Sequence, residues 1–150
     1  MARRYSEAML ILKPESMHAL IPIRRMIAAR FQIRFSAARR LTPKELYDLY
    51  GDLDERLWRM TAAYVANRRV QLFLLFGAHT IERAVALAGH KTRPQDCRSG
   101  SIRRRYGKAI PIGWNMTTYW RNAVHRTQSS AEARIQITAL IARHRRSGLL

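Results

Sequence analysis

The sequence predicts an α+β fold in which helices pack on an antiparallel sheet in the ferredoxin-like arrangement. The predicted elements follow the order strand, helix, strand, two helices, strand, helix, strand, helix, and right-handed crossovers between such elements produce a split βαβ sheet. The chain has 150 residues, of which 47% are hydrophobic, so it can bury about two thirds of its unfolded surface in one domain. We expect that single domain to span 1–150.

Three elements are expected in the N-terminal part of the chain. The apolar run from Met9 to Leu12 stops at Lys13-Pro14, which is typical of a strand buried on both faces. Residues 22–30 begin with proline and carry apolar side chains on one face, which predicts a helix. Apolar and polar residues then alternate from Phe31 to Ala37, the pattern of a half-buried strand.

Two helices, a central strand and a further helix are expected in the middle of the chain. Residues 42–45 form a capping box, so a helix should run from there to about Tyr50, and a second helix should start near Asp54. The apolar stretch from Val70 to Phe76 predicts the strongest central strand. Residues 80–89 predict a helix that has a threonine cap and ends at a left-handed glycine.

The C-terminal part combines an irregular segment with a short strand and a long helix. Glycine and proline residues interrupt any regular pattern, so an extended loop is expected over about 104–121. Ala123-Val124 should form a short last strand, and Ser129 should begin a helix that reaches about Arg145. The basic residues 143–150 are expected to form a flexible tail.

The charge of the chain is its most unusual property. Lysine and arginine number 28 against 10 acidic residues, which gives a net charge of +18. A field of this sign attracts polyanions strongly and in a salt-dependent way. Nucleic acid, another polyanion or a ribonucleoprotein assembly are therefore candidate partners. The alternative is that the basic residues form an ordinary solvated surface. In that case the preference for arginine over lysine reflects the base composition of the source genome.

Cysteine and histidine usage argues against disulfide and zinc chemistry. The lone Cys97 excludes an internal disulfide, and the five histidines have no zinc-binding spacing. A single cysteine favours a reducing setting, so we expect a cytoplasmic protein. The stretch Val70 to Phe76 is too short to cross a bilayer, and no membrane association is expected.

Three short motifs carry the chemistry that this chain could perform: Leu10 to Pro14, Gly100 to Arg103, and Asn122 to His125. His125 is the one histidine that both ends a predicted strand and precedes a predicted helix. A histidine held in this way can act as a nucleophile if one ring nitrogen is fixed by a hydrogen bond and the other faces a phosphate. Lys13 directly follows the first strand, at the kind of sheet edge where ligands bind.

In their order along the chain, these motifs resemble those of the nucleoside diphosphate kinase family, over roughly Ala8 to Ile141. The resemblance implies that family's fold and its reaction, in which the γ-phosphate of a nucleoside triphosphate passes to a nucleoside diphosphate through a phosphohistidine. His125 and Lys13 would be the catalytic residues. The resemblance also implies a homo-oligomer and Mg²⁺ bound between the nucleotide phosphates, with no metal ligands from the protein.

The same resemblance assigns nucleotide-binding roles to six positions, which comprise phosphate ligands, one residue that stacks on the base and one near the ribose 3′-hydroxyl. The phosphate residues are Tyr50, Arg56, Thr92 and Arg103, the stacking residue is Trp58, and the ribose residue is Asn122.

Several positions depart from the family pattern. Val85 stands where the family has a phosphate-clamping arginine, and Arg126 follows the histidine where the family has glycine and could crowd it. Gln136 aligns with the glutamate that orients the family's histidine. Glutamine accepts a hydrogen bond but does not stabilise an imidazolium, so catalysis should be weaker. Glu132, one turn earlier, is expected to act as the helix cap.

Two classes of function are therefore open. The first is a phosphotransferase that works through His125. The second is a protein of the same fold with weak or no kinase activity, which binds nucleic acid or serves as a basic subunit of a ribonucleoprotein assembly. The aromatic residues of the extended loop, Trp114, Tyr119 and Trp120, could stack on nucleobases, although subunit contact or core filling is favoured over stacking as their role.

Overall fold

The described part of the chain contains six strands, six α-helices and two short 3-10 helices at Pro14–Ala19 and Pro94–Asp96. The computed structural model describes residues 5–112 and 117–146, and it describes only the backbone at 109–112, 117–120 and 142–146. The strands are β1 (Tyr5–Leu12), β2 (Gln32–Arg40), β3 (Arg69–Ala78), β4 (Lys108–Ile112), β5 (Thr117–Arg121) and β6 (Val124–Arg126). The helices are α1 (Leu20–Ala28), α2 (Pro43–Tyr50), α3 (Glu55–Val65), α4 (Thr80–Ala88), α5 (Ile102–Tyr106) and α6 (Ser130–Arg146).

Four of the strands form one antiparallel sheet in the order β2-β3-β1-β6. β1 lies in the centre and pairs with β3 on one side and with the short β6 on the other. β2 forms the far edge, where its pairing with β3 shifts by one residue between Ile33 and Phe35. This strand order is that of the split βαβ sheet, so the predicted ferredoxin-like fold is confirmed.

Both faces of the sheet are buried under helices. Side chains of alternate residues along β1 point to opposite faces, so Leu10 and Leu12 pack in one apolar core with α1 and α4, whereas Met9 and Ile11 pack in a second core with α2, α3 and α6. The five residues from Ala8 to Leu12 are at most 1% exposed. This two-sided burial explains why β1 is a continuous apolar run.

The start signals of three helices were predicted correctly, and that of α4 was not. Thr42 and Glu45 form the reciprocal capping box of α2, Asp54 caps α3, and Ser129 accepts a hydrogen bond from the backbone of Glu132 in α6. Thr80 is not the cap of α4, because its hydroxyl donates back to Gly77 O.

The segment 104–121, expected to be an extended loop, is more regular than its glycines and prolines indicated. The end of α5 lies in it, and β4 and β5 pair as an antiparallel hairpin. The loop prediction was therefore wrong. Trp114 lies outside the described residues, as do residues 147–150 of the predicted tail, whereas the backbone of α6 continues through Arg146. No described helix combines the length and apolar character needed to span a bilayer.

Candidate active site

The pairing of β6 with β1 decides which side chains can meet. Ile11 pairs with His125, and Leu10 pairs with Arg126. Directly paired residues share a face of the sheet, so the imidazole lies on the side covered by α2, α3 and α6. Arg126 lies on the other side, under α1 and α4. Lys13 follows Ile11 by two residues, and an extended backbone keeps it on the face that carries His125.

The His125 ring is half-buried and held from two directions. Its Nε2 lies 3.1 Å from Gln136 Oε1 in α6, and the Tyr50 ring of α2 meets it edge-on, with ring centroids 5.3 Å apart. Burial lowers the pKa of His125 to about 3, and the nearby cations Lys13 and Arg103 act in the same direction, whereas the hydrogen bond between His125 Nε2 and the Gln136 oxygen opposes the shift. The imidazole is therefore neutral at physiological pH.

Lys13 places a buried ammonium beside this histidine. The side chain is 6% exposed, its Nζ donates to Asn122 Oδ1 at 2.7 Å, and it lies 5.3 Å from the centre of the Tyr50 ring. Burial lowers the pKa of Lys13 to about 8, although Glu15 opposes this shift. A buried cation with a single side-chain partner still has donors to offer an anion.

Two residues that our sequence reasoning did not select hold the turn before β6. Ala123 adopts a left-handed conformation with φ of 70°, which is uncommon for a residue other than glycine. Its N–H donates to Glu15 Oε1 at 2.9 Å, and its carbonyl accepts from Ser16 Oγ at 2.7 Å and from Lys13 N at 2.9 Å. The sequence signal for these bonds is the pair Glu15-Ser16 directly after Lys13-Pro14. Ala123, to which both residues bond, lies over 100 residues further along the chain.

Arg103 is buried and mostly occupied by backbone carbonyls. Its Nε and Nη2 donate to Val124 O at 3.3 and 3.1 Å, and its Nη1 donates to Gly89 O at 3.4 Å and to Lys91 O at 2.9 Å. A guanidinium has five N–H groups, so among the contacts of the described residues one N–H on Nη2 stays available. Burial, followed by the charge of Arg126, lowers the pKa of Arg103 to about 10.

Arg126 does not crowd His125, contrary to the concern raised by its size. Its guanidinium points to the opposite face, where Nε donates to Gly89 O at 2.9 Å and Nη2 donates to His90 O at 3.1 Å. These carbonyls follow the last turn of α4, where a cation is favourable. Arg126 and Arg103 therefore share Gly89 O and hold the loop that carries Thr92.

The predicted site residues fall into an inner and an outer set. The inner set lies around His125: Tyr50 and Gln136 contact its ring, Lys13 and Asn122 are bonded to each other beside it, and Arg103 donates to the carbonyl of the neighbouring Val124. The outer set has more exposed side chains: Arg56 and Thr92 are exposed, and Trp58 is half-buried with its indole edge-on to Tyr47 at 5.6 Å. Val85, at the position of the missing arginine, is half-buried in α4.

Comparison with known proteins identifies the family and the fold of the chain. The model of the nucleoside diphosphate kinase family matches residues 6–145. No curated protein sequence matches the chain. Among solved structures, the fold is similar to a vanadate and ADP complex of nucleoside-diphosphate kinase from Borrelia burgdorferi, with a TM-score of 0.76, 17% identity and coverage of 91% of this chain and 86% of the other.

Two further solved structures have the same fold. The Aquifex aeolicus nucleoside diphosphate kinase gives a TM-score of 0.71 at 23% identity, with 89% of this chain and 93% of the other covered. An NDP kinase from Pyrobaculum aerophilum gives 0.72 at 19% identity, with 91% and 96% covered. Because the family model spans nearly the whole chain, the protein belongs to the nucleoside diphosphate kinase family, a family of phosphotransferases.

Proposed function

We propose that the protein transfers the γ-phosphate of a nucleoside triphosphate to a nucleoside diphosphate through a phosphohistidine at His125. The observation that carries this proposal is the hydrogen bond between His125 Nε2 and Gln136 Oε1. An amide oxygen can only accept, so Nε2 keeps the ring proton and Nδ1 keeps a lone pair. A neutral imidazole beside the Lys13 ammonium is suited to attack a phosphate.

The reaction then has two halves. Nδ1 of His125 forms a bond to the γ-phosphorus while the bond from that phosphorus to the β,γ-bridging oxygen breaks, and the nucleoside diphosphate leaves with the bond electrons. In the second half a terminal phosphate oxygen of a different nucleoside diphosphate forms a bond to the phosphorus while the bond from phosphorus to Nδ1 breaks, and its electrons return to the imidazole. The Nε2–H group of His125 donates to Gln136 Oε1 during both halves of the reaction. The Lys13 ammonium stabilises the charge that develops on the phosphoryl oxygens.

Mg²⁺ fits this scheme as part of the substrate. Among the side chains that the structure describes, no three of His, Cys, Asp or Glu come together as metal ligands, and Mg²⁺ commonly binds mainly through substrate phosphates and water. Bound in this way, Mg²⁺ would neutralise part of the triphosphate charge.

We assign the outer residues to the nucleotide. Trp58 would stack on the base, Arg56 and Thr92 would contact phosphates, and Asn122 would contact the ribose 3′-hydroxyl. Tyr50 and Arg103 would face the phosphate chain, Arg103 with its single remaining N–H. The valine at position 85 and the glutamine at position 136 should make the protein a slower kinase than its relatives.

The test of this function is transfer from ATP to a second nucleoside diphosphate, measured between pH 5 and 9. An ordinary histidine with a pKa near 6.5 would be neutral in only about 3% of molecules at pH 5, a loss of about thirtyfold. Because the pKa of His125 is about 3, we expect no such loss between pH 7 and 5. Above pH 8 the rate should fall, because Lys13, with a pKa of about 8, loses its charge.

No transfer at any pH would contradict the proposed function. Transfer that falls with an apparent pKa near 6.5 would keep the function but contradict the environment assigned to His125. The ¹⁵N shifts of the His125 ring, followed over the same pH range, separate protonation of the enzyme from protonation of the nucleotide phosphates.

A second candidate function is the binding of a polyanion, and one cavity favours it. A cavity of about 450 Å³ lies between α4 and the loop before α5, and it is lined by Arg30, Arg83 and Arg98 together with Ser99 and Ser101. Among the described residues that line it, none is acidic. Arg83 is fixed by bonds from its guanidinium to Ala78 O and Arg30 O, so its charge is held in place at the cavity.

Reversing one charge at this cavity should weaken the binding of a single-stranded oligonucleotide. Arg98→Glu is expected to lower the affinity several-fold and to reduce the slope of log affinity against log salt by about 1. Arg59→Glu, at an exposed position of α3, changes the net charge equally and is the control. Equal effects of the two variants would mean that binding depends on net charge alone.

The expected homo-oligomer and the expected cytoplasmic location of the protein stay predictions.

A further inference from the structure

Gln136 joins His125 to a second polar group in α6. Its side chain is 4% exposed. The Oε1 atom faces His125 Nε2 at 3.1 Å, and Nε2 of the same amide donates to Glu132 Oε1 at 2.9 Å. Glu132 precedes Gln136 by four residues, so the two side chains lie on the same helical face. The three residues form one chain of hydrogen bonds that ends in a carboxylate.

The carboxylate of Glu132 is itself fixed. The other carboxylate oxygen, Oε2, accepts from the backbone N–H of Gln128 at 3.1 Å. The backbone N–H of Glu132 donates to Ser129 Oγ at 3.1 Å. Glu132 therefore performs the capping role that the sequence predicted. Because that role uses only one carboxylate oxygen, the other oxygen is held in position toward Gln136.

The direction of this chain of bonds follows from chemistry. A glutamine amide can present either its oxygen or its NH₂ group to a neighbour, whereas an ionised carboxylate can only accept. Glu132 therefore draws the NH₂ group of Gln136 to itself and leaves the oxygen facing His125. If the amide were turned, its NH₂ group would face His125 Nε2, and Nδ1 would carry the ring proton. A protonated Nδ1 in a neutral ring has no lone pair with which to attack a phosphate.

We propose that Glu132 is a positioning residue that selects the Nε2–H tautomer of His125 through the Gln136 amide. This inference rests on the proposed function for its purpose, since the selected tautomer leaves Nδ1 as the nucleophile. The family resemblance places a glutamate at position 136. In this chain the amide there contacts the histidine, and the carboxylate acts from one helical turn earlier.

Glu132→Gln tests the proposal with almost no change in shape. An amide at position 132 can donate or accept, so it no longer dictates how the Gln136 amide is turned. We expect the ¹⁵N shifts of the unphosphorylated His125 ring to move from one tautomer to a mixture of two. Ser129→Ala is the matched control, because it removes the other hydrogen bond of the cap and leaves the Glu132–Gln136 contact in place. It should not alter the tautomer.

A double variant separates positioning from damage to the helix. In Glu132→Gln/Gln136→Glu the carboxylate and the amide exchange places, and a carboxylate at 136 again can only accept from His125 Nε2. We expect the single tautomer to return in this variant. An unchanged tautomer in Glu132→Gln, or an equal change in Ser129→Ala, would overturn the proposal.

The rate of His125 phosphorylation by ATP is the second readout. We expect a loss of about tenfold in Glu132→Gln, in line with the effect of other residues that orient a reactive histidine from one bond away, and recovery in the double variant. The two claims fail separately. A shift of tautomer without any phosphorylation of the wild-type protein would refute the kinase function and leave the positioning role intact, whereas phosphorylation with no shift would do the reverse.

Discussion

Replacing His125 by alanine is expected to abolish the formation of phosphoprotein from labelled ATP. The nucleophile would be removed, and the Lys13 ammonium beside it cannot replace it, because a protonated amine has no lone pair with which to attack a phosphate. Removal of a covalent nucleophile costs several orders of magnitude in rate. The measurement is retention of label on the wild-type and variant proteins after a short incubation with ATP.

The chemistry of the bond and a second histidine variant provide the controls. A phosphohistidine is lost in acid and kept in base, which separates it from a phosphoserine. His90→Ala removes a histidine whose side chain is exposed and should leave labelling unchanged. Equal labelling of the wild type and His125→Ala would mean that the phosphate, if any, resides elsewhere.

Replacing Lys13 by methionine is expected to lower the rate of His125 phosphorylation by about a hundredfold or more, since one fixed donor at a developing charge contributes that much in other enzymes. Stability should change less than activity. Removing a buried ammonium relieves its desolvation, while leaving Asn122 Oδ1 without its donor costs about 1–3 kcal/mol. The rate of His125 phosphorylation is measured by quenching reactions with saturating ATP at successive times. Thermal melting measures the stability of each variant.

Lys44→Met is the matched control for that variant. It makes the same change at a side chain that is 86% exposed and paired with Asp48 in its own helix. Its rate should stay within about twofold of the wild type, because an exposed pair contributes little. If Lys13→Met phosphorylates at the wild-type rate, the ammonium is a structural partner of Asn122 and has no part in transfer.

The inner site was predictable from sequence to the extent that strand period and register determine it. The apolar run before Lys13 predicted a central strand, and the histidine was expected at the end of a short strand beside it. In the structure β6 runs from Val124 to Arg126, so His125 lies in the middle of the strand. The additional strand residue is Arg126. Because side chains alternate along a strand, Arg126 lies on the face opposite His125.

The rest could not be predicted because it depends on contacts between distant residues. The hairpin of β4 and β5 contains Pro111 and follows Gly107, residues that locally favour turns, and the pairing of the two strands overrides that preference. The bonds from Glu15 and Ser16 to Ala123 join segments over 100 residues apart. The direction of Arg126 follows from its register with Leu10, which no local pattern reveals.

A crystal structure of the protein with Mg²⁺ and a nonhydrolysable ATP analogue would show whether His125 is placed to attack the γ-phosphate. We expect the γ-phosphorus to lie about 3–3.5 Å from His125 Nδ1, in line with the bond to be broken. We also expect Lys13 Nζ to contact a phosphate oxygen while His125 Nε2 still donates to Gln136. A nucleotide bound away from His125, or a γ-phosphate that faces Nε2, would refute the role of His125 Nδ1 as the nucleophile.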